Sequence, residues 1–378
     1  MPSVTELERM RPTTTVVENQ GIRLAAMGDL LLAAGPGGTD PPRETAAIFA
    51  DVRPLFREAD LVVGNLECTL PGSGATVPTE PRVVATEDLV RAVAAVGVTT
   101  VSLANNHMFD CLAEGFHRLR RLLDDLGITY FGAGDNLREA AAPAVVQVRG
   151  VRVGFLGAAD PRTGPSGFAG PSVPGVSPLK MADLIEDIRR LRAEVDHVIV
   201  SLHWGEERLS IPSPAQMEQA HALVDAGASL ILGHHPHVLQ GVEVYRGAPI
   251  IYSLGNFVAC DVPYTDGDRL IWNRTERTGC VLHAELSASG ARVAQQVATY
   301  DDGRSVGIDR SGFGARRLAR VNRALTRGVT LARYRREYFW VKTVLPALAH
   351  LKWSELKGLR LGKVWKFLKT ATHASHAE

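Results

Sequence analysis

The chain has 378 residues, of which 45% are hydrophobic and 22% charged, a balance typical of a folded globular protein and not of a disordered or fibrous one. Its net charge of +1 conceals an asymmetry, because residues 311–378 carry 15 basic and three acidic side chains and the rest is acidic overall. Four cysteines without CxxC spacing exclude a thiolate zinc site and a disulfide framework.

The first residues and the apolar segments give expectations about location. The N-terminal stretch MPSVTELERMRPTTT lacks the basic and apolar regions of a signal peptide. Apolar runs as long as about 18 residues, the length needed to span a bilayer, do not occur. We therefore expect a cytoplasmic protein.

Short apolar runs that end in polar residues recur along the chain. Because they are rich in aliphatic residues and do not alternate, they predict strands covered on both faces. In chain order they are IRLAAMGD, ADLVVGNLE, VTTVSLANNH, VRVGFLGAAD, HVIVSLHWGE, ASLILGHHPH and APIIYSLGNF.

Helical patterns lie between these runs, and the alternation predicts a layered α/β domain. Each predicted helix has a terminating glycine or a capping serine followed by proline: Gly97, Gly127, Ser177 before Pro178, and Ser213 before Pro214.

We place the α/β domain at residues 21–305, after an N-terminal segment 1–20 and before a basic helical extension 306–378. The extension mixes basic residues with large aromatic ones. One interpretation is contact with a membrane surface or a polyanion; the other is helices packed on the body with a solvated basic face. Nucleic acid is disfavoured, because no recognition motif accompanies the charge. The aromatic residues are Trp340, Trp353, Trp365 and Phe367.

Polar residues end five of the predicted strands. Ligands of open α/β sheets collect at the carboxyl ends of strands, so we expect these side chains to lie together. Each of these residues could instead have a purely structural role, in a turn, as a helix cap or as a packed neutral histidine. In chain order they are Asp29, Asn65, Glu67, Asn105, Asn106, His107, His203, His234, His235 and His237.

This set supplies nitrogen and oxygen donors and no thiolate, which favours Mn, Fe or Zn. It exceeds the needs of one tetrahedral site. Two divalent ions about 3.5–4 Å apart, bridged by a carboxylate, would use all of it. The sequence therefore predicts a divalent metal cofactor with two ions.

Several segments resemble the CapA family of poly-γ-glutamate capsule biosynthesis proteins, a branch of the calcineurin-like metallophosphoesterase superfamily. They are GDLLL, GNLE, SLANNHMFD and SLHWGEE, and the long stretch 213–258. The resemblance covers about residues 22–260. It implies a four-layer α/β/β/α sandwich with two metals at the strand ends.

The resemblance also implies roles for individual residues. His107 is the implied general acid, oriented by Asp110. Leu31 stands where ordinary phosphoesterases have the histidine of a D-x-H motif, so a single-metal site stays open. The implied metal ligands are Asp29, Glu67, Asn106, His203, His235 and His237, and further candidates for the metal or its surroundings are Asn65, Asn105, His234 and Glu207.

Two residues outside this set are candidates for substrate contact. Arg162 lies in a Gly/Pro-rich stretch and is either an anion clamp for an anionic or peptide-like substrate or an ordinary surface residue. Asn256 contacts substrate or ties the rim together by hydrogen bonds.

These observations predict a hydrolase in which metal-activated water attacks a γ-glutamyl-like amide or a phosphoester, while His107 protonates the leaving group. Two alternatives remain open. One is a non-catalytic or accessory component of poly-γ-glutamate or peptide assembly. The other is a cytosolic enzyme that forms or cleaves an amide in a small metabolite.

Overall fold

The computed structural model describes residues 21–34, 43–45 and 47–349. The predicted extension is therefore described as far as residue 349, and Trp353, Trp365 and Phe367 lie outside the described residues. The strands are β1 (Ile22–Leu31), β2 (Leu61–Leu66), β3 (Thr100–Ser102), β4 (Thr129–Phe131), β5 (Ala133–Gly134), β6 (Ala144–Val148), β7 (Val151–Ala159), β8 (Gly175–Val176), β9 (His197–His203), β10 (Leu230–His234), β11 (Val242–Tyr245), β12 (Ala248–Ile251), β13 (Asn256–Ala259), β14 (Val262–Pro263), β15 (Arg269–Leu270), β16 (Thr278–Ser287), β17 (Gly290–Asp301) and β18 (Val306–Ile308).

Helices connect and cover the strands. Two short 3₁₀ turns, Arg53–Leu55 and Pro161–Thr163, and a π-helical segment, Trp340–Val344, complete the helical elements of the described chain. The α-helices are α1 (Glu87–Ala95), α2 (Leu112–Asp125), α3 (Leu137–Ala140), α4 (Met181–Arg192), α5 (Pro214–Ala226), α6 (Phe313–Thr326), α7 (Leu331–Phe339) and α8 (Leu345–Ala349).

Two large sheets form the centre of the molecule. The first has eight strands in the order β18-β17-β16-β1-β2-β3-β4, with β13 also paired to β1. The second has six strands in the order β11-β12-β10-β9-β7-β6. Strands β1 to β4 run parallel, as do β7, β9, β10 and β12. Each sheet thus presents a set of parallel carboxyl ends.

Three apolar layers separate four layers of secondary structure. The faces of the two sheets pack on each other through residues such as Leu24 and Val63 on one side and Ile199 on the other. Helices α1 and α2 cover the outer face of the first sheet, and α4 and α5 cover that of the second. Both faces of the inner strands are buried, which explains their unbroken apolar sequences. The α/β/β/α sandwich implied by the resemblance is confirmed.

Of the two helix starts predicted from a serine followed by proline, one is found in the structure. The Ser213 side chain accepts from the Gln216 amide in a capping box, and Pro214 is the first residue of α5. The predicted start at Ser177 and Pro178 is wrong, since α4 begins at Met181. The backbone of Ser177 pairs instead with Gly132 and Ala159, and these tertiary hydrogen bonds hold it extended.

The part of the extension that the structure describes packs partly on the body. Strand β18 pairs with β17, and α6 buries Leu318 and Val321. The Asn322 side chain accepts a hydrogen bond from the Val242 amide at 2.9 Å. Among the described residues, no helix has both the length and the apolar composition that crossing a membrane requires.

Gly28 allows β1 and β13 to approach next to Asp29. A Cβ at position 28 would lie 1.9 Å from the Gly255 carbonyl oxygen, which accepts the Asp29 amide at 2.9 Å. We expect Gly28→Ala to lower the free energy of unfolding by about 1–3 kcal/mol, because backbone must shift. Denaturant unfolding measures this. Gly167→Ala is the control, since its Cβ would meet Phe109 at an ordinary 3.7 Å; equal stability losses would contradict the prediction.

Candidate metal centre

The Asp29 carboxylate joins the two sheets at their carboxyl ends. Its Oδ1 accepts from Asn65 Nδ2 and His234 Nδ1, both at 2.9 Å, and its Oδ2 accepts from the His235 amide at 3.1 Å. Burial alone would raise the pKa of Asp29, but hydrogen bonds with His234 and His237 outweigh it and hold that pKa well below its usual range. Asp29 is therefore a fixed anion.

Glu67, at the end of β2, is fully buried with one oxygen left without a hydrogen bond. Its Oε1 lies 3.6 Å from His203 Nε2 and 3.7 Å from His237 Nε2. Burial raises the pKa of Glu67 well above its usual value. A buried acceptor without a partner costs about 1–3 kcal/mol, so this oxygen is placed for a ligand, not for stability.

His235 and His237 follow β10 in strained backbone. Both residues have positive φ, 92° and 55°, which non-glycine residues seldom adopt. Burial and the neighbouring His237 lower the pKa of His235 to about 3, and His235 Nδ1 has no hydrogen-bond partner. Burial opposes protonation of His237, but the charges of Glu67 and Asp29 outweigh it and raise the pKa of His237 to about 10.

The ligand atoms form three overlapping groups, each with its members within 4.8 Å of one another. Two of the groups share the Glu67 carboxylate. Together with the unpartnered Glu67 Oε1 and His235 Nδ1, this donor set fits divalent metal. The groups are Glu67 with His203 and His235, Asp29 with Glu67 and His237, and Glu207 with His235 and His237.

Two asparagines predicted at the rim connect the ligands to the backbone. Asn65 Nδ2 also approaches His203 Nδ1 at 3.3 Å. Asn105 donates to Asn65 Oδ1 at 3.3 Å and to the Leu66 carbonyl at 2.9 Å, and its Oδ1 accepts from the His107 amide at 3.2 Å. His234 donates a hydrogen bond to Asp29 and is not a member of the three groups of possible metal ligands. These contacts fix the ligand side chains in place.

His107 lies beside the cluster and is held by Asp110. His107 Nδ1 donates to Asp110 Oδ2 at 2.8 Å, and the same oxygen accepts from the Val83 amide at 2.8 Å. The other carboxylate oxygen accepts from Ser166 Oγ at 2.6 Å. With its carboxylate held by three donors, Asp110 fixes the orientation of the imidazole and places the proton on Nδ1.

Asn106 connects His107 to the ligand cluster. Its Oδ1 lies 2.8 Å from His203 Nε2, and its Nδ2 lies 3.1 Å from His107 Nε2. The Nε2 atom of His107 is therefore linked through Asn106 to the ligand cluster.

The other predicted residues lie around this centre. Arg162 pairs with Asp160 through its Nη2 at 2.6 Å and is 57% exposed, so its charge is already matched and its role as an anion clamp stays a prediction. Asn256 is fully buried; its Oδ1 accepts from His237 Nδ1 at 2.9 Å and its Nδ2 donates to the Glu276 carbonyl at 3.0 Å. Because both the oxygen and the nitrogen of the Asn256 amide are hydrogen-bonded within the protein, a structural role for Asn256 is favoured over contact with substrate.

Three residues that support the centre were missed by the sequence analysis. Ser166 reaches Asp110, Trp272 packs against the His237 ring with centroids 5.0 Å apart, and the buried Glu276 accepts from Arg208 Nε at 2.6 Å. They come from loops distant in sequence and carry no motif, so no local pattern identifies them.

Residues 23–260 match the family described as bacterial capsule synthesis protein PGA_cap. The chain is similar to the capsule biosynthesis protein CapA of Bacillus anthracis, with 33% identity over 274 residues that cover 70% of this chain and 64% of that protein. It is also similar to the PGA biosynthesis protein CapA of Bacillus subtilis, with 31% identity over 284 residues covering 74% and 72%.

A structural comparison finds a novel phosphatase from Mycoplasma pneumoniae, with a TM-score of 0.45 and 15% identity over 77% of this chain and 95% of that one. The protein is thus a four-layer α/β/β/α protein with a ligand cluster at the strand ends. The chain belongs to the CapA family of capsule synthesis proteins. It spans less than two thirds of the Bacillus anthracis relative.

Metal binding should release protons from the ligand cluster, with His237 among the groups that lose one. Because its pKa is raised to about 10, His237 is protonated in the metal-free protein at neutral pH, and a ligand must be deprotonated. We expect Mn²⁺ affinity to rise with pH between about 6 and 9, by up to about tenfold per unit. Calorimetry in buffers of different ionisation enthalpy measures the release. His221→Gln, which alters a histidine paired with Glu243, should release as much as wild type; heats independent of the buffer would contradict the prediction.

Proposed function

We propose that this protein is a metal-dependent hydrolase that cleaves a γ-glutamyl-type amide bond. The observation that carries the proposal is the His107–Asp110 pair, whose imidazole lies at the edge of the ligand cluster. The names of the relatives from Bacillus, which refer to capsule and PGA biosynthesis, support a substrate built from glutamate.

The residues divide into those that hold metal and those that move a proton. When bound, divalent metal supplies Lewis-acid polarisation and lowers the pKa of the attacking water. We assign Mn, Fe or Zn, as two ions, to a nitrogen and oxygen donor set that includes the carboxylates and histidines above. The residues assigned to hold it are Asp29, Glu67, Asn106, His203, His235 and His237, with Glu207 as a further ligand.

His107 is assigned the role of general acid. Its Nδ1–H is committed to Asp110, so Nε2 is the atom that carries the transferred proton. The Asp110 charge stabilises the imidazolium that forms before the transfer. Ser166 and the Val83 amide hold the carboxylate while the imidazole changes charge.

The amide and the phosphoester differ in how strongly their cleavage depends on a general acid. An amide nitrogen leaves only after protonation, whereas an aryl phosphate has a good leaving group that departs as an anion. A histidine oriented by a buried carboxylate is therefore more useful for an amide. The accessory function and the small-metabolite amide enzyme are the alternatives, and the first predicts metal binding without turnover on either bond.

Substituting the acid tests the assignment. We expect His107→Asn to lower kcat for a γ-glutamyl amide by about 10²–10⁴-fold, to lower kcat for an aryl phosphate much less, and to retain metal. His117→Asn is the matched control, because His117 forms a similar pair with Asp135 at 2.6 Å on the surface. Equal losses on both substrates would reject the assignment of His107. Metal-loaded wild type without turnover on either would favour the accessory function.

Glu207 is assigned the role of a metal ligand that replaces the missing D-x-H histidine. Leu31 is buried in the apolar core, whereas Glu207 lies with His235 and His237. Burial would raise the pKa of Glu207, but these histidines outweigh it and lower that pKa, so the ligand is anionic. We expect Glu207→Gln to retain about one of two ions, measured by mass spectrometry after purification without chelator. Glu206→Gln is the control, and unchanged metal content in Glu207→Gln would contradict the role.

A further inference from the structure

Helix α6 presents a row of arginines to solvent. Arg316, Arg320, Arg323 and Arg327 are exposed and follow at intervals of three and four residues, so they share one face of the helix. With Arg333 of α7, Ala319 and Ala324 they line a cavity of about 380 Å³. We call this cavity the arginine groove.

The groove carries no compensating negative charge. Its lining includes no acidic residue, and in the part of the chain that the structure describes none of its five arginines forms an ion pair. Other exposed arginines differ; Arg310, for example, pairs with Asp51 at 2.7 Å. Burial and then the charge of Arg320 lower the pKa of the neighbouring Arg317. The clustered charges repel one another, and a bound anion would relieve that repulsion.

One arginine of the groove is held in position by the backbone. Arg333 Nη1 donates to the carbonyls of Ala324 at 2.9 Å and Gly328 at 3.2 Å. Its guanidinium therefore closes one end of the groove and leaves its remaining N–H groups free to bind a ligand.

The lining selects among anions. A guanidinium binds carboxylate or phosphate through paired hydrogen bonds. The described residues that line the groove include no aromatic ring for base stacking and no large apolar side chain for insertion among lipid tails. From Arg316 to Arg327 the row is about 16 Å long, at about 1.5 Å per residue. This length suits an extended polymer with several charges better than a single ion.

We propose that the arginine groove binds an extended polycarboxylate, the γ-linked glutamate chain, away from the bond that is cleaved. Each γ-linked glutamate leaves one free carboxylate, so successive residues can meet successive guanidinium groups. The identity of the polymer rests on the proposed function, while the groove itself rests on the arginines.

The helices of the groove also hold a loop of the candidate metal centre. Arg317 Nη2 donates to Ser210 Oγ at 3.3 Å, and the Ser210 amide donates to Glu337 of α7 at 2.6 Å. Lys342 lies 3.6 Å from Glu206, next to Glu207. A polymer in the groove is therefore attached to the same helices that border the site, which raises the local concentration of its bonds there.

Polymer binding by the metal-free full chain tests the groove without requiring turnover. Fluorescence anisotropy with labelled poly-γ-glutamate at low salt should show at least tenfold weaker binding for Arg320→Glu/Arg323→Glu than for wild type. Arg138→Glu/Arg189→Glu, which changes two exposed arginines on α3 and α4, is the charge-matched control and should bind as wild type. Circular dichroism checks folding, and Arg320→Gln/Arg323→Gln should give an intermediate loss.

Equal binding by the groove and control variants would overturn the proposal. The proposal would also be overturned if wild type did not bind poly-γ-glutamate but bound polyphosphate or phosphatidylglycerol vesicles through these arginines. The partner would then be a phosphate polymer or a membrane. Groove-dependent polymer binding without hydrolysis of any amide would support the groove and reject the proposed hydrolase. If the metal-loaded Arg320→Glu/Arg323→Glu variant no longer cleaves the polymer but cleaves a short γ-glutamyl amide as wild type does, both the groove and the hydrolase are supported.

Discussion

The structure depends on the hydrogen bonds of one buried carboxylate. Asp29 lies near the carboxyl end of β1 in the first sheet and binds His234 and the His235 amide at the end of a strand in the second. An anion in this position would be costly without partners. The same hydrogen bonds that hold it charged bring two sheets together at their carboxyl ends, so the junction of the sheets and the candidate metal centre are one feature.

Around this junction the protein leaves some groups unsatisfied. Glu67 Oε1 and His235 Nδ1 are buried without hydrogen bonds, and His235 and His237 have strained backbone. Such costs persist where function requires them. The surrounding asparagines hydrogen-bond to several of the other polar atoms, and Asn106 connects the His107–Asp110 pair to the ligands.

The C-terminal helices connect this centre to the surface. Residues 313–349 lie outside the matched family region, which ends at residue 260. Arg317 and Glu337 nevertheless reach Ser210 in the loop beside Glu207. The described part of the extension thus combines hydrogen bonds and one ion pair, Lys342 with Glu206, that hold the loop, and arginines without an ion pair that face solvent.

The sequence by itself determined the layered α/β class, the start of α5 at Pro214 and the segments that meet at the rim. These follow from local chemistry: unbroken apolar runs, a capping serine with proline, and polar residues at strand ends. Tertiary structure decided what depends on distant partners. Ser177 is held extended by Gly132 and Ala159, so α4 starts later than predicted. Tertiary structure likewise decided that Ser166 hydrogen-bonds to Asp110 and Asn256 to His237. The sequence does not predict these contacts, because hydrogen bonds between loops far apart in sequence leave no pattern in either segment.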